Sequence, residues 1–216
     1  MALETVQDLD QEVTLTDDVN VAVADAQVCG FKAGDKMTLK TLLYCMLIYS
    51  GNDAANAIAD HIAGSTDAFV EKMNAKAKEL GATHTHFVNA NGLHSTDHYT
   101  TAYDLYLIFN EALKLPLFCE IINAQSYTAD YTDANGAAKQ QVWKVGNWYL
   151  KGDCEAPEGV TVLGGKTGTT QAAGYCLIMA SDGDDGKEYI SVVLKSANRP
   201  SLYDNMTEIL TKISNK

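Results

Sequence analysis

The sequence predicts an α+β fold, in which an antiparallel sheet is flanked by helices and adjoined by a helical lobe. Helical spacing of apolar residues dominates residues 37–125, and alternating or β-branched segments separated by turn signals follow between 126 and 196. From Pro200 onward the spacing is helical again. Helices followed by an antiparallel sheet indicate two regions of one domain. We therefore treat residues 1–216 as a single domain, with 37–125 as the helical lobe and residues 1–36 and 126–216 as the sheet region.

The first elements read as a helix end, short extended pieces and a buried helix. Residues 1–9 have helical spacing but no capping residue, which is typical of a helix whose beginning is missing. Val13 to Val23 alternates and predicts short extended segments. Thr38 is placed to cap a helix through Leu47 that is apolar nearly all round, so this helix should be buried.

Further helices are predicted from local signals, which are a capping residue, a closing glycine or an opening proline. They run from Asp53 to Ala63 with Gly64 as the end, from Ser65 to Gly81, from the cap Thr100 to Lys114, and onward from Pro116 and Pro200.

The strands are predicted from β-branched runs and tight-turn residues. A hairpin around Asn135-Gly136 should join residues 126–132 to 140–145. A strand beginning at Val160 should be followed by Gly174 to Ser181 and by Lys187 to Ser196, which the turn at 182–186 connects.

Composition and charge exclude several classes of function. The formal net charge of -12 argues against nucleic acid as a partner, because phosphate binding needs a basic face. The longest apolar run, Leu42 to Tyr49, is too short to span a bilayer, and residues 1–20 show no export signal. The wide spacing and odd number of the five cysteines indicate neither a zinc site nor a full disulfide framework. The histidines at 84, 86, 94 and 98 lack a recognised ligand spacing, so no metal and no cofactor are predicted.

The most informative stretch is residues 163–170 (LGGKTGTT), at the exit of an apolar strand. Glycines at 164, 165 and 168 let another backbone approach closely. Lys166 and the neighbouring hydroxyls suit a carboxylate-bearing ligand that lies along the strand edge. The alternative is a glycine-rich strand end with a solvated lysine.

A second polar stretch, Ser50-Gly51-Asn52, interrupts two buried helices. Taken alone it is explained by helix capping and a helix break. Together with Lys166-Thr167-Gly168 at long range, it supplies two of the three motifs of the penicillin-interacting serine enzymes.

Four runs carry a more specific resemblance. They are LLYCMLIYSGNDAANAIADHI, FVEKMNAKAKELGATHTHFVNANGLH, YTTAYDL and GGKTGTTQAAGYCLIMAS. The chain resembles the D-alanyl-D-alanine carboxypeptidases, the low-molecular-mass penicillin-binding proteins, most clearly from about Gly30 to Arg199. The resemblance implies an antiparallel sheet backed by helices, with a helical lobe beside it.

The sequence departs from the family pattern at the nucleophile. The family's serine lies in a Ser-x-x-Lys motif upstream of Ser50, and no Ser-x-x-Lys occurs in these 216 residues. We therefore expect a chain truncated before or within that helix, without the family's first strands, and inactive alone. The full-length protein is expected to be extracytoplasmic, either secreted or membrane-associated.

The resemblance also implies roles for the residues that are present. Ser50 would relay a proton to the departing D-alanine nitrogen, and Asn52 would hydrogen-bond the substrate's peptide carbonyl. Lys166 would hold positive charge near Ser50 and the substrate's terminal carboxylate. Thr167, Gly168 and Thr169 are expected to bind the substrate: the two hydroxyls at its carboxylate, and the Thr169 N–H as half of the oxyanion hole.

Three functions are consistent with these features. The first is a serine-type carboxypeptidase that cleaves peptidoglycan stem peptides ending in D-Ala-D-Ala and, at full length, reacts with β-lactam antibiotics. The second is a non-catalytic remnant that binds peptides or partner chains, and self-association is expected for the truncated form. The third is a β-lactamase, which Ser-Gly-Asn and the lack of a convincing Glu-x-x-x-Asn loop disfavour.

Overall fold

The computed structural model describes residues 1–214, whose helices surround two small sheets. The helices are α1 Ala2–Thr5, α2 Leu39–Tyr44, α3 Asn52–Ala63, α4 Thr66–Glu79, α5 Ala102–Ala112, α6 Pro116–Asn123, α7 Trp148–Lys151 and α8 Arg199–Ser214. A π-helical turn, Cys45–Tyr49, continues α2, and Asp17–Val19 forms a 3₁₀ turn. Within residues 1–214, no helix has both the length and the apolar composition needed to cross a membrane.

Local capping signals set several helix ends where the sequence predicts them. The Thr38 hydroxyl accepts the Thr41 N–H at 3.1 Å, and the Ser65 hydroxyl accepts the Ala68 N–H at 3.1 Å. Gly64 follows α3 with a left-handed φ of 76°, which glycine adopts without steric cost.

The predicted cap at Thr100 is wrong by one residue. The Thr101 hydroxyl accepts the Asp104 N–H at 3.1 Å, and α5 begins after it. Thr100 instead shares a hydrogen bond of 2.8 Å with the Thr85 hydroxyl. Two adjacent threonines offer the same capping chemistry, and this tertiary contact occupies the first of them.

The strands form two antiparallel sheets. They are β1 Glu12–Thr14, β2 Lys36–Thr38, β3 Ser126–Thr132, β4 Ala138–Lys144, β5 Val160–Thr170, β6 Gly174–Gly183 and β7 Glu188–Ser196. The first sheet has the order β1-β2-β3-β4 and the second has the order β5-β6-β7. Antiparallel sheets flanked by helices confirm the predicted α+β class. The predicted hairpin β3–β4, however, lies in a different sheet from the glycine-rich strand β5.

Helices cover both faces of the second sheet. Because successive strand residues point to opposite faces, Leu177 and Met179 pack against α8, whereas Ile178 and Ala180 pack with Phe109 and Ile122 on the other side. A third cluster surrounds the fully buried Leu39, Leu42 and Cys45 and is closed by β3 and β4. The helical lobe contacts both edge strands of the second sheet, with α6 on β5 and α5 on β7.

Candidate active site

The Ser50 and Lys166 side chains meet although 116 residues separate them. The Lys166 ammonium donates to the Ser50 hydroxyl and, at 2.6 Å, to the Thr167 carbonyl. Ser50 lies at the end of the π-helical turn, and Lys166 lies in the middle of β5. The predicted convergence of the two motifs on one groove is thus present.

The backbone at Ser50 adopts an uncommon conformation. Its φ of 62° and ψ of 39° are left-handed, which costs a residue with a Cβ about 1 kcal/mol or more. The next N–H, that of Gly51, donates back to the Cys45 carbonyl at 3.2 Å. The surrounding structure has to hold this turn in place, because the residue's intrinsic preference opposes it.

Residues 27–31, here called the clamp segment, form hydrogen bonds on both sides of the turn at Ser50. The Gln27 carbonyl accepts the Asn52 backbone N–H at 3.0 Å and the Asn52 side-chain Nδ2 at 2.9 Å. The Gln27 side-chain amide donates to the Tyr49 carbonyl. Gln27 therefore contacts the residues directly before and after Ser50-Gly51.

A buried carboxylate anchors the clamp segment to the first turn of α3. Asp53, whose exposure is 1%, accepts the Cys29 N–H at 2.9 Å through one oxygen. Its other oxygen accepts the Gly30 N–H at 2.9 Å and the Phe31 N–H at 3.1 Å. Consecutive backbone N–H groups of this kind form an anion-binding concavity, which compensates the buried charge.

Asn52 lies beside the groove and does not line its cavity. The Nδ2 group carries two N–H donors, of which one points to the Gln27 carbonyl. In this structure Asn52 thus fixes the turn, and it retains one N–H for a second acceptor.

A cavity of about 240 Å³ opens beside Ser50 and Lys166. Its wall is largely apolar, and a small number of polar side chains converge on it. The remaining lining residues include Met46, Leu47, Ala55, Met73, Phe87, Asn89, Asn91 and His98. A mostly apolar pocket with few converging polar groups is the usual form of a small-ligand site.

The electrostatics of the cavity favour neutral forms of its basic groups. Burial lowers the pKa of Lys166 to about 8, because removing an ammonium from water disfavours its charged form. Burial, followed by the nearby His86 and His94, also lowers the pKa of His98. A lysine whose pKa lies near physiological pH is suited to both charge stabilisation and proton transfer.

The remaining predicted residues all lie on the edge strand β5, but their side chains do not converge at one place. Lys166 pairs with Ile178, on the face that packs toward α5 and α6, whereas Thr167 pairs with Leu177, on the α8 face. Thr167 and Lys166 consequently point to opposite sides of β5. Gly168 and Thr169 are exposed, so the outer edge of the strand is open to an extended ligand.

Substituting Gly165 tests how tightly β5 is packed next to Lys166. A Cβ at this position would overlap the Ile178 carbonyl oxygen, so we expect Gly165→Ala to destabilise the fold by about 2 kcal/mol. Gly168→Ala is the matched control, since no atom lies within 4 Å of its Cβ position. Urea unfolding of both variants makes the comparison, and equal midpoints would contradict the packing described.

Sequence reasoning did not identify Gln27 or Asp53. Asp53 reads as an ordinary acidic residue of a first helical turn, and Gln27 lies in a segment without a periodic pattern. Only the apolar surroundings of Asp53 in the helix give a signal, because an acidic side chain there needs buried donors.

Comparison with known proteins identifies relatives of this arrangement. The family model for D-alanyl-D-alanine carboxypeptidase matches residues 2–198. A D-alanyl-D-alanine carboxypeptidase of Streptomyces sp. strain K15 is 33% identical over 184 residues, which are 82% of this chain and 61% of the relative. The D-alanyl-D-alanine carboxypeptidase DacB2 of Mycobacterium tuberculosis is 37% identical over 175 residues, or 80% of this chain and 56% of the relative.

The fold matches solved structures of the same group. The crystal structure of the Streptomyces K15 DD-transpeptidase superposes with a TM-score of 0.86 at 30% identity, over 97% of this chain and 82% of that chain. The present chain spans 61% and 56% of the length of the two curated relatives named above. On the match of residues 2–198, this chain belongs to the D-alanyl-D-alanine carboxypeptidase family.

Proposed function

We propose that this chain is part of the catalytic domain of a serine-type carboxypeptidase that removes the terminal D-alanine from peptidoglycan stem peptides. The single observation that carries the proposal is the contact between the Lys166 ammonium and the Ser50 hydroxyl beside an open strand edge. The reaction class follows from the family, whose members act on D-Ala-D-Ala peptides at the cell wall. The full-length protein would accordingly work outside the cytoplasm and react with β-lactams.

Substrate recognition begins at the edge of β5. A stem peptide in extended conformation can add to this edge through main-chain hydrogen bonds, with its terminal D-alanine toward the 166–169 stretch. The Lys166 ammonium attracts the terminal carboxylate, and the second Nδ2–H of Asn52 can donate to the peptide carbonyl. The hydroxyls of Thr167 and Thr169 are the nearby donors on the other side of the strand.

Bond cleavage requires a serine that this sequence does not contain in a Ser-x-x-Lys motif. Such a serine would attack the carbonyl of the terminal peptide bond, form an acyl-enzyme and release D-alanine, after which water would regenerate it. Ser50 would pass a proton to the departing nitrogen, with Lys166 as its neighbour. The lowered pKa of Lys166 is favourable for this relay.

Binding of a D-Ala-D-Ala peptide should depend on the charge of Lys166. Its pKa of about 8 in the free chain means that the ammonium is fully present below about pH 7 and is lost as the pH rises through 8. We expect the affinity for N-acetyl-Lys-D-Ala-D-Ala to be constant below pH 7 and to fall above pH 8, by up to tenfold per pH unit. Lys166→Ala should lower the affinity roughly 10- to 100-fold at pH 7 and abolish the pH dependence.

Calorimetric titration at pH 6.5, 8 and 9.5 provides the measurement. Lys187→Ala is the matched control, because this exposed lysine pairs with Asp185 in the β6–β7 hairpin. The C-terminally amidated peptide, which lacks the carboxylate, should show neither effect. Equal affinity of Lys166→Ala and the unsubstituted chain would refute the assignment of Lys166.

A second function, non-catalytic binding, is favoured by one observation: no serine of the sequence precedes a lysine by three positions. In this alternative the site binds a peptide without turnover. Tight binding of the D-Ala-D-Ala peptide, combined with no hydrolysis even after a Ser-x-x-Lys segment is supplied, would select it.

We also propose that this chain associates with further copies of itself. Strand β7 is the second edge of its sheet, and within residues 1–214 no strand pairs with its outer side. An unpaired edge presents a row of backbone donors and acceptors that a second copy can satisfy in antiparallel pairing. We expect dimers or larger species in sedimentation velocity at micromolar concentration. A monodisperse monomer would contradict the proposal.

A further inference from the structure

Cys29 and Cys45 lie next to each other directly beneath the Ser50-Gly51-Asn52 turn. Cys29 belongs to the clamp segment, and Cys45 begins the π-helical turn. Both are buried in the same cluster, with exposures of 6% and 0%. The structure has both as free thiols.

Gly51 contacts both residues, Cys29 at its sulfur and Cys45 at its backbone carbonyl. A Cβ on Gly51 would be 2.5 Å from the Cys29 sulfur, and the Gly51 N–H donates to the Cys45 carbonyl at 3.2 Å. Contact with the Cys45 side chain, burial and the nearby Asp53 together raise the pKa of Cys29 strongly. Each sulfur is thus the neighbour of the other, in an apolar site next to a carboxylate.

The other cysteines have different surroundings. The thiols of Cys119 and Cys176 donate to the carbonyls of Leu113 and Ala173 at 3.2 and 3.5 Å, and Cys154 lies near Thr207. Residues 29 and 45 therefore form the one thiol pair that these contacts indicate among residues 1–214.

We propose that Cys29 and Cys45 are joined by a disulfide bond under oxidising conditions, so that the clamp segment becomes covalently tied to the floor of the candidate active site. The family acts at the cell wall, outside the reducing cytoplasm, where disulfides form and persist. The bond would hold Gln27 and the Asp53-binding N–H groups against the strained Ser50 turn. This inference concerns the support of the site and does not depend on catalysis.

Formation of this disulfide bond needs a two-electron oxidant, and we propose glutathione disulfide for that part. One cysteine thiolate attacks it to form a mixed disulfide and releases one glutathione thiolate. The second cysteine then displaces the other glutathione, so two cysteine S–H bonds are lost, one S–S bond forms, and glutathione disulfide is reduced by two electrons. Because the folded site disfavours the Cys29 thiolate, the bond should form while the chain folds, before the clamp segment closes on Asp53.

The test is to refold the 216-residue chain in a glutathione redox buffer and then to alkylate it in denaturant with N-ethylmaleimide. Intact-mass spectrometry should show that three of the five cysteines are alkylated, and peptide mapping should show a link between residues 29 and 45. The folded, reduced chain should be oxidised much more slowly than the refolding chain. Adding dithiothreitol to the oxidised protein should lower its melting temperature by roughly 6–12 °C.

Cysteine variants supply the controls. Cys29→Ser and Cys45→Ser should lose both the linked peptide and the effect of reductant, while Cys119→Ser should keep both. Peptide mapping of the unsubstituted chain decides the question even if Cys45→Ser fails to fold. Alkylation of all five cysteines after oxidative refolding, a link between other positions, or a melting temperature insensitive to reductant would overturn the proposal.

Discussion

Incubation of the 216-residue chain with labelled penicillin is expected to give no stable penicilloyl adduct, and incubation with a D-Ala-D-Ala peptide no measurable release of D-alanine. The physical reason is that β-lactams acylate a nucleophilic serine that a lysine activates, and no serine here has a lysine three residues later. Ser50 does not replace this nucleophile. Its hydroxyl accepts a hydrogen bond from Lys166, and in the proposed function this hydroxyl faces the leaving group. Loss of a nucleophile costs several orders of magnitude in rate.

Supplying the missing chemistry should reverse this result. A version extended ahead of Met1 by a relative's segment with Ser-x-x-Lys is expected to form the adduct and to raise D-alanine release by roughly 10⁴-fold or more. The matched control carries Ala-x-x-Lys in the same segment, so the extension and its packing are unchanged. Intact-protein mass spectrometry gives the readout. An adduct on the 216-residue chain, mapped to Ser50 or another serine, would show that the nucleophile is elsewhere.

The second large effect is expected from Asp53→Ala, which should lower the free energy of unfolding by about 3 kcal/mol or more. The substitution removes the acceptor of four backbone N–H groups, those of Cys29, Gly30 and Phe31 in the clamp segment and that of Ala54 in α3. Each donor left unsatisfied costs roughly 1–3 kcal/mol where water does not reach it. Asp53→Asn should have a smaller effect than Asp53→Ala, because its single carbonyl oxygen replaces one of the two carboxylate acceptors.

Urea denaturation of these variants measures the effect. Asp67→Ala is the matched control, because Asp67 also lies in the first turn of a helix but is exposed. We expect less than about 1 kcal/mol for it, which is the typical contribution of an acidic residue at a helix N-terminus. Equal losses for Asp53→Ala and Asp67→Ala would show that the clamp segment does not depend on the buried carboxylate.

Features with local causes could be predicted from the sequence, and features with long-range causes could not. Thr38, Ser65 and Pro116 act on the residues directly beside them, so the helices that they begin are confirmed. The pairing of Lys36 with Thr132, by contrast, joins segments almost a hundred residues apart. No turn or periodicity signals it, which explains why the division into two sheets escaped prediction.

The same distinction applies to the candidate site. The contact between Ser50 and Lys166 was predicted through a family resemblance, since composition and spacing do not bring positions 116 residues apart together. The π-helical turn before Ser50 was missed because an apolar segment reads the same with one extra residue per turn. Gln27 holds this turn through its backbone carbonyl, which every residue has, and through a side-chain amide that no periodic pattern marks, so the sequence carries no specific sign of the contact.

The burial of the Lys166 ammonium has a consequence for the protein as a whole. Unfolding returns this ammonium to water, where its pKa is 10.5, whereas in the folded chain its pKa is about 8. Between these values the unfolded state binds more protons, so the free energy of unfolding rises with pH in this window from this residue's contribution. At neutral pH the folded chain therefore carries a destabilising charge that an apolar residue of similar size would remove. A lysine in such a position is expected where the function of the site has been selected at the expense of the stability of the fold.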